Sequence, residues 1–192
     1  MLKPEIAGDE EVMYEGRIIE VVQQPMKIGD KTIKFETARR SPGVRIIFVK
    51  DGKMLITHEY RTELNGFDYR LPGGKVFDTL SDYRKYRVSD DYVLANAVDT
   101  VKREAQEEVG LVPIVMNHIH TTSPGSTMLW DLYYFVVSEF ENHPNGQSLE
   151  EEGEVIEPEW RTHDEVRAMC LDGSIGEERT VAVLLRYLES QK

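Results

Sequence analysis

The stretch Arg103-Glu104-Ala105-Gln106-Glu107-Glu108-Val109-Gly110-Leu111 closes a helix. Ala97, Val101 and Ala105 fall four apart, and Val98 lies one turn before Val101, which predicts one apolar face from about Asp91 to Val109. Gly110 supplies the stop. Glu104 precedes Glu107 by three positions and Glu108 by four, so three carboxylates project from one side. Like charges at that spacing repel one another, and a helix C-terminus disfavours negative charge. A solvated acidic face is one reading of such a run, and a divalent-cation site is the other. Lysine spacing does not relieve this face, since only Lys102 and Arg103 lie close, on its N-terminal side. That tips the reading toward Mg²⁺ or Mn²⁺, which prefer hard oxygen ligands and retain waters for a phosphate compound.

Outward from the helix, the chain alternates strands with turn signals. Residues 11–24 are rich in β-branched residues, and Lys31 to Ala38 alternates apolar with polar. Gly29-Asp30 between them predicts an antiparallel hairpin. Val44 to Lys50, the Asp51-Gly52 turn and Met54 to Tyr60 predict a second. Leu71-Pro72-Gly73-Gly74 breaks the pattern as a loop, and residues 78–91 show no firm period. Strands are expected at Ile114–His120 and Trp130–Phe140, with a short one at Val155-Ile156. Thr162 with Glu165 forms a capping box that starts a helix. Val181, Leu184, Leu185 and Leu188 share one face of another helix from about Glu177. The sum is an α/β fold in which a mixed β-sheet is sandwiched between helices, with an N-terminal antiparallel hairpin layer. Residues 1–40 are expected as that N-terminal segment and 41–192 as the catalytic domain.

Composition narrows the function. The 192 residues carry 23 basic against 35 acidic side chains, a net charge of −12, which argues against nucleic acid as a partner. A phosphate compound would need local arginines or a metal. Cys170 is the single cysteine, which excludes an internal disulfide and polycysteine metal sites and favours a reducing, cytoplasmic home. No leader or membrane span is expected.

The segment 103–111 resembles the core of the Nudix box, in which a glycine, five residues, a glutamate and seven residues precede Arg-Glu-apolar-any-Glu-Glu-any-Gly-apolar. Arg103, Glu104, Ala105, Glu107, Glu108, Gly110 and Leu111 fit that pattern. The resemblance implies a loop–helix–loop site that hydrolyses nucleoside diphosphates linked to another moiety. It implies Glu104, Glu107 and Glu108 as metal ligands, a carbonyl ligand from Gly74, and Arg103 bracing the helix. Two departures stand out. Gly74 and Arg103 are 29 positions apart where the pattern has 14, so about 15 residues are inserted, roughly 76–90. The early box glutamate falls on Ala95, with Asp90 and Asp91 as weak substitutes. The insert carries Tyr83-Arg84-Lys85-Tyr86-Arg87, readable as a substrate lid or phosphate clamp, or as a solvated surface loop.

Further segments resemble the ADP-ribose pyrophosphatase branch: Tyr14-Glu15-Gly16-Arg17, His58-Glu59-Tyr60-Arg61, Leu71 to Lys75, Ser123-Pro124-Gly125, and Glu154 to Glu157 with Trp160. The branch implies a homodimer built with the N-terminal strands and an acidic loop that supplies a further ligand and a general base. Glu154 is the ligand candidate and Glu152 the base, with Glu151 beside it. Arg61 could meet the diphosphate or pair with a surface carboxylate. Arg39, Arg40 and Arg45 cluster at a strand entrance, where an arginine fork would suit phosphate. Pro124 and Gly125 complete the substrate-binding candidates. Trp130, Tyr133, Tyr134 and Trp160 are expected in core or interface, His118 and His120 as no metal pair, and Cys170 as core filler.

The function this implies is metal-assisted hydrolysis of a nucleoside diphosphate sugar, with ADP-ribose going to AMP and ribose 5-phosphate. A GDP- or UDP-hexose is the alternative substrate. A weakly catalytic module that senses a nucleotide metabolite is the alternative of another class, to which the missing early glutamate and the insert lend some weight.

Overall fold

The computed structural model describes residues 3–87, 89–149 and 154–191. The chain opens with β1 (Glu5–Ile6), β2 (Glu11–Glu15), β3 (Glu20–Ile28) and β4 (Lys31–Arg39). The β3–β4 hairpin turns at Gly29-Asp30, with Ile28 opposite Lys31 and Glu20 opposite Arg39. Next come β5 (Gly43–Lys50), β6 (Lys53–Arg61) and β7 (Gly66–Arg70). Asp51 and Gly52, at φ 51° and 71°, make the two-residue turn whose twist suits a hairpin. Two helices follow, α1 (Leu80–Tyr86) and α2 (Asp90–Val109), and then β8 (Leu111–Thr122), β9 (Met128–Leu129), β10 (Leu132–Asn142) and β11 (Ile156–Thr162). The chain ends on α3 (His163–Asp172) and α4 (Glu178–Ser190).

Among the described residues these strands form two sheets. The N-terminal strands pair in the order β1-β3-β4-β9, with β2 beside β3. The larger sheet runs β11-β6-β5-β10-β8, with β7 beside β6. It is mixed because β10 lies parallel to β5 and antiparallel to β8. Strand alternation splits its two faces. Val44, Ile46, Phe48, Tyr133, Phe135 and Val137 pack under α2. Ile47, Leu132, Tyr134 and Val136 meet Val166 of α3 and Leu184 of α4. The expected mixed sheet between helices is thus observed.

Helix α2 is anchored by Ala97, Val101, Ala105 and Val109, each larger side chain contributing ~1.5–3 kcal/mol by burial. Gly110 ends it at φ 66°, its N–H turned back to the Ala105 and Gln106 carbonyls. The Thr162–Glu165 capping box opens α3. Beyond the short strands β1, β7 and β9, which the sequence reading does not contain, two further elements differ from it. Strand β11 runs the whole way to the cap of α3, paired along β6. The insert holds α1, whose tyrosines do not follow an apolar helical period because they pack on a loop. Tyr83 and Tyr86 both stack near Phe77, and Tyr86 stacks on Tyr92 of α2.

The insert therefore contains a short helix packed on Phe77 and Tyr92. Arg84 of α1 pairs with Glu20 and Glu15, and Arg87 with Glu10. Glu20, fully buried, also binds Arg39. This charge cluster fastens the insert to the N-terminal sheet.

Candidate active site

The loop after β7 is laid against β5 by backbone hydrogen bonds: Ile46 N–H donates to Pro72 O and Val44 N–H to Gly74 O, each at 2.9 Å. The two glycines serve the loop differently. Gly73 sits at φ 151°, and a Cβ on it would overlap the Val44 carbonyl; a Cβ on Gly74 would overlap the Glu104 carboxylate. The loop grips the helix directly, since Gly73 N–H donates to Glu108 Oε2 at 2.6 Å.

Arg103 holds the helix carboxylates in place, with contacts of 2.9 Å to Glu104 and 3.1 Å to Glu107. It also donates to the Lys75 carbonyl at 3.4 Å. Burial, then the neighbouring Glu104 and Glu59 charges, push the Glu108 carboxyl well above the usual range, against the pull of the Gly73 N–H and Arg45. Glu104, Glu107, Glu108 and Glu154 line one cleft of about 550 Å³, together with Gly73 and Gly74.

The same cleft is lined by Arg40, Arg45, Arg61 and Trp130. Arg45, buried, forks onto Glu177 at 2.8 and 3.0 Å. Burial alone would raise the Glu177 carboxyl, but Arg45 holds it at about 2. Arg61 pairs with Glu63 at 2.8 Å and approaches Glu59 at 3.6 Å. Arg40 lies over the Trp130 indole, 4.3 Å from the ring centroid.

The remaining expected residues fall elsewhere. Arg39 does not line the cleft. Its strand register sets it opposite Glu20, and its guanidinium is committed to Glu20 and Glu10; Arg40, one position on, takes the cleft side. Pro124 and Gly125 lie on the exposed β8–β9 connection, outside the cleft lining. Ala95 is exposed on α2, and Asp90 and Asp91 are exposed in its first turn. Glu151 and Glu152 lie outside the described residues. Trp160 stacks on Phe140, Tyr134 is buried, and Cys170 sits in the core between sheet and α3, its thiol pushed up to about 11 by burial.

Sequence reasoning missed Glu59 as a cleft carboxylate. Period-two alternation along β6 was the available signal, since it places Glu59 on the face of Thr57 and Arg61. Glu59 is buried and accepts from Thr57 Oγ1 at 2.6 Å. On the opposite face of β6, His58 and Glu157 face each other in register, and with Glu159 they bring ligand-type atoms within 4.8 Å. The imidazole there is packed between Phe67 and Tyr69, and Glu159 is held by Arg161.

Residues 39–183 match the family model described as NUDIX domain. A CMP-5'-(N-acetyl-N-hydroxy-3-aminopropyl)phosphonate hydrolase from Streptomyces rubellomurinus is 27% identical over 184 residues, covering 93% of this chain and 80% of that protein. A crystal structure described as an ADP compounds hydrolase superposes with a TM-score of 0.71 at 16% identity, covering 98% of this chain and 96% of that one.

Proposed function

We propose, from the premise that this chain belongs to the NUDIX domain family, that it cleaves the pyrophosphate bond of a nucleoside diphosphate sugar, ADP-ribose foremost, with Mg²⁺ or Mn²⁺. The observation that carries this reading is the Gly73–Glu108 hydrogen bond, which fastens the glycine loop to a helix face bearing Glu104 and Glu107 in one cleft.

The donor set fits a hard divalent cation. Glu104, Glu107, Glu108 and Glu154 offer carboxylate oxygens, and the Gly74 carbonyl, which accepts one bond from Val44, has a second lone pair. Burial first, then the Glu104 and Glu59 charges, raise the Glu108 carboxyl, and a cation would offset the part that comes from those charges. When bound, such an ion neutralises the diphosphate and lowers the pKa of a water. The protein's own part is positional. Arg103 fixes Glu104 and Glu107, the loop fixes Glu108, and Arg61 faces the anionic substrate from the β6 end. Glu152 is our candidate to take the proton of the attacking water.

The expected products are AMP and ribose 5-phosphate, released only with Mg²⁺ or Mn²⁺ present. Activity unchanged by Glu108→Gln would refute the ligand assignment. The phosphonate hydrolase relative supports a second substrate reading, a nucleoside monophosphate joined to a phosphonate, so CMP-phosphonates belong in the substrate panel beside GDP- and UDP-hexoses. No helix among the described residues is long and apolar enough to cross a membrane. A cytoplasmic homodimer built through residues 1–40 remains our proposal, testable by light scattering of the chain with and without them.

A further inference from the structure

Most of the arginines at the cleft are tied to carboxylates. Arg103 serves Glu104 and Glu107, Arg45 serves Glu177, and Arg61 serves Glu63. Arg40 is different. Among the described residues no carboxylate lies within ion-pairing distance of it, and the group it touches is the face of Trp130. Arg179, in the first turn of α4, lies over the same indole at 4.3 Å and donates to the Trp130 carbonyl at 2.7 Å. Its Nη2 is buried with no hydrogen-bond partner among the described residues. Burial, then the like charges of Arg45 and Arg179, hold Arg40 below the usual guanidinium range. An acidic protein thus places positive charge at the wall of its own cleft, where the charge of Glu177, already forked by Arg45, acts on both Arg40 and Arg179.

The geometry points to a subsite for a second acidic group. Arg40, seated on Trp130 and backed by Arg179, grips an anion carried by the substrate's leaving moiety, separate from the diphosphate at the glutamates. This deepens and rests on the reading as a pyrophosphohydrolase. The substrate class it selects is a nucleoside diphosphate joined to a sugar that bears a further phosphate or carboxylate, which narrows that reading from ADP-ribose itself to its acid-bearing relatives. A guanidinium fork matches either oxyanion, while the indole holds the fork in place by cation–π contact.

The test is a matched pair: ADP-ribose and ADP-ribose 1″-phosphate, with an ADP-linked hexuronate as the carboxylate arm. kcat/KM is measured with Mg²⁺ for wild type, Arg40→Gln and Arg40→Lys. The wild type should favour an acid-bearing compound by about 10-fold or more, on the scale of a charge-assisted hydrogen bond. Which of the two is preferred tells phosphate from carboxylate. Arg40→Gln should erase the preference, and Arg40→Lys should restore part of it. Equal use of neutral and acidic compounds by the wild type overturns the subsite and leaves the hydrolase reading standing. So does an equal fall on both substrates in Arg40→Gln, which would assign Arg40 to the diphosphate. If the wild type cleaves none of them, the hydrolase reading falls, and the subsite is then judged by thermal shift in Ca²⁺. A larger shift with the acidic compounds that disappears in Arg40→Gln supports it, and equal shifts overturn it.

Discussion

Gly73 and Glu108, 35 residues apart in the chain, are joined by a 2.6 Å hydrogen bond from the loop N–H to the helix carboxylate. The bond pins a carboxylate in surroundings that resist its charge. Burial and the Glu104 and Glu59 charges raise its pKa. An acid whose folded pKa lies above the unfolded one stabilises the fold at low pH, and that contribution is lost as pH rises from the unfolded value through the folded one. In chelator at neutral pH, Glu108→Gln should therefore melt higher than wild type, while turnover with Mg²⁺ drops by at least about 10–100-fold, the loss seen when even an outer partner of a metal ligand is removed. Melting curves across pH check the first half and AMP release the second. A variant that melts lower throughout would contradict this account of the helix face.

The helix, its stop and its carboxylate face were legible because α2 is strongly periodic and every residue of the face lies within five positions. The hairpins were legible because Gly29-Asp30 and Asp51-Gly52 carry turn chemistry. The partners that complete the cleft were not, since they depend on which strand lies beside which. Glu177 meets Arg45 across 132 positions, and no local pattern foretells it. Arg39 and Arg40 were equivalent in sequence, and only the β3–β4 register, which puts Arg39 opposite Glu20, separates a structural arginine from a cleft arginine. Helix α1 was hidden for a related reason: its tyrosines satisfy a loop phenylalanine instead of a sheet.

The two loop glycines should fail in different ways. A methyl on Gly73 meets the Val44 backbone carbonyl, and φ 151° suits no other residue, so Gly73→Ala should destabilise by ~1–3 kcal/mol or more. A methyl on Gly74 meets the movable Glu104 carboxylate. Gly74→Ala should melt within a few degrees of wild type yet lose most activity and bind Mn²⁺ weakly. Titration calorimetry alongside melting separates the two, and equal metal affinity in Gly74→Ala would show that Glu104 is no ligand.

Glu20 is the hinge pin of the insert. Burial would raise its carboxyl, but Arg84 and then Arg39 bring it below the usual range. Removing the carboxylate leaves Arg39 buried with only Glu10, so Glu20→Ala should cost about 3–5 kcal/mol. Arg84→Ala should cost less, because Arg84 is the more exposed partner and Arg39 still neutralises Glu20. Urea unfolding ranks them, and a cost for Arg84→Ala above that of Glu20→Ala would reverse the proposed roles.

The Arg45–Glu177 pair gives the protein a specific acid sensitivity. Glu177 is held at about 2 by Arg45 despite its burial. A depressed carboxylate stabilises the fold above its unfolded pKa, and the contribution fades as pH falls from about 4.5 towards about 2. The depression corresponds to about 3 kcal/mol at neutral pH. In Arg45→Met the carboxylate stays buried without its counter-charge, so the variant should be less stable at pH 7 by about 3–5 kcal/mol. Its Glu177 then holds a proton at higher pH, and acid takes nothing further from that position. The gap between wild type and variant should consequently narrow as pH is lowered, a difference that cancels the other carboxylates common to both. Urea midpoints between pH 7 and pH 3 measure it. A gap of constant size would mean that Arg45 acts through packing instead of charge, and the low acidity range assigned to Glu177 would have to be withdrawn.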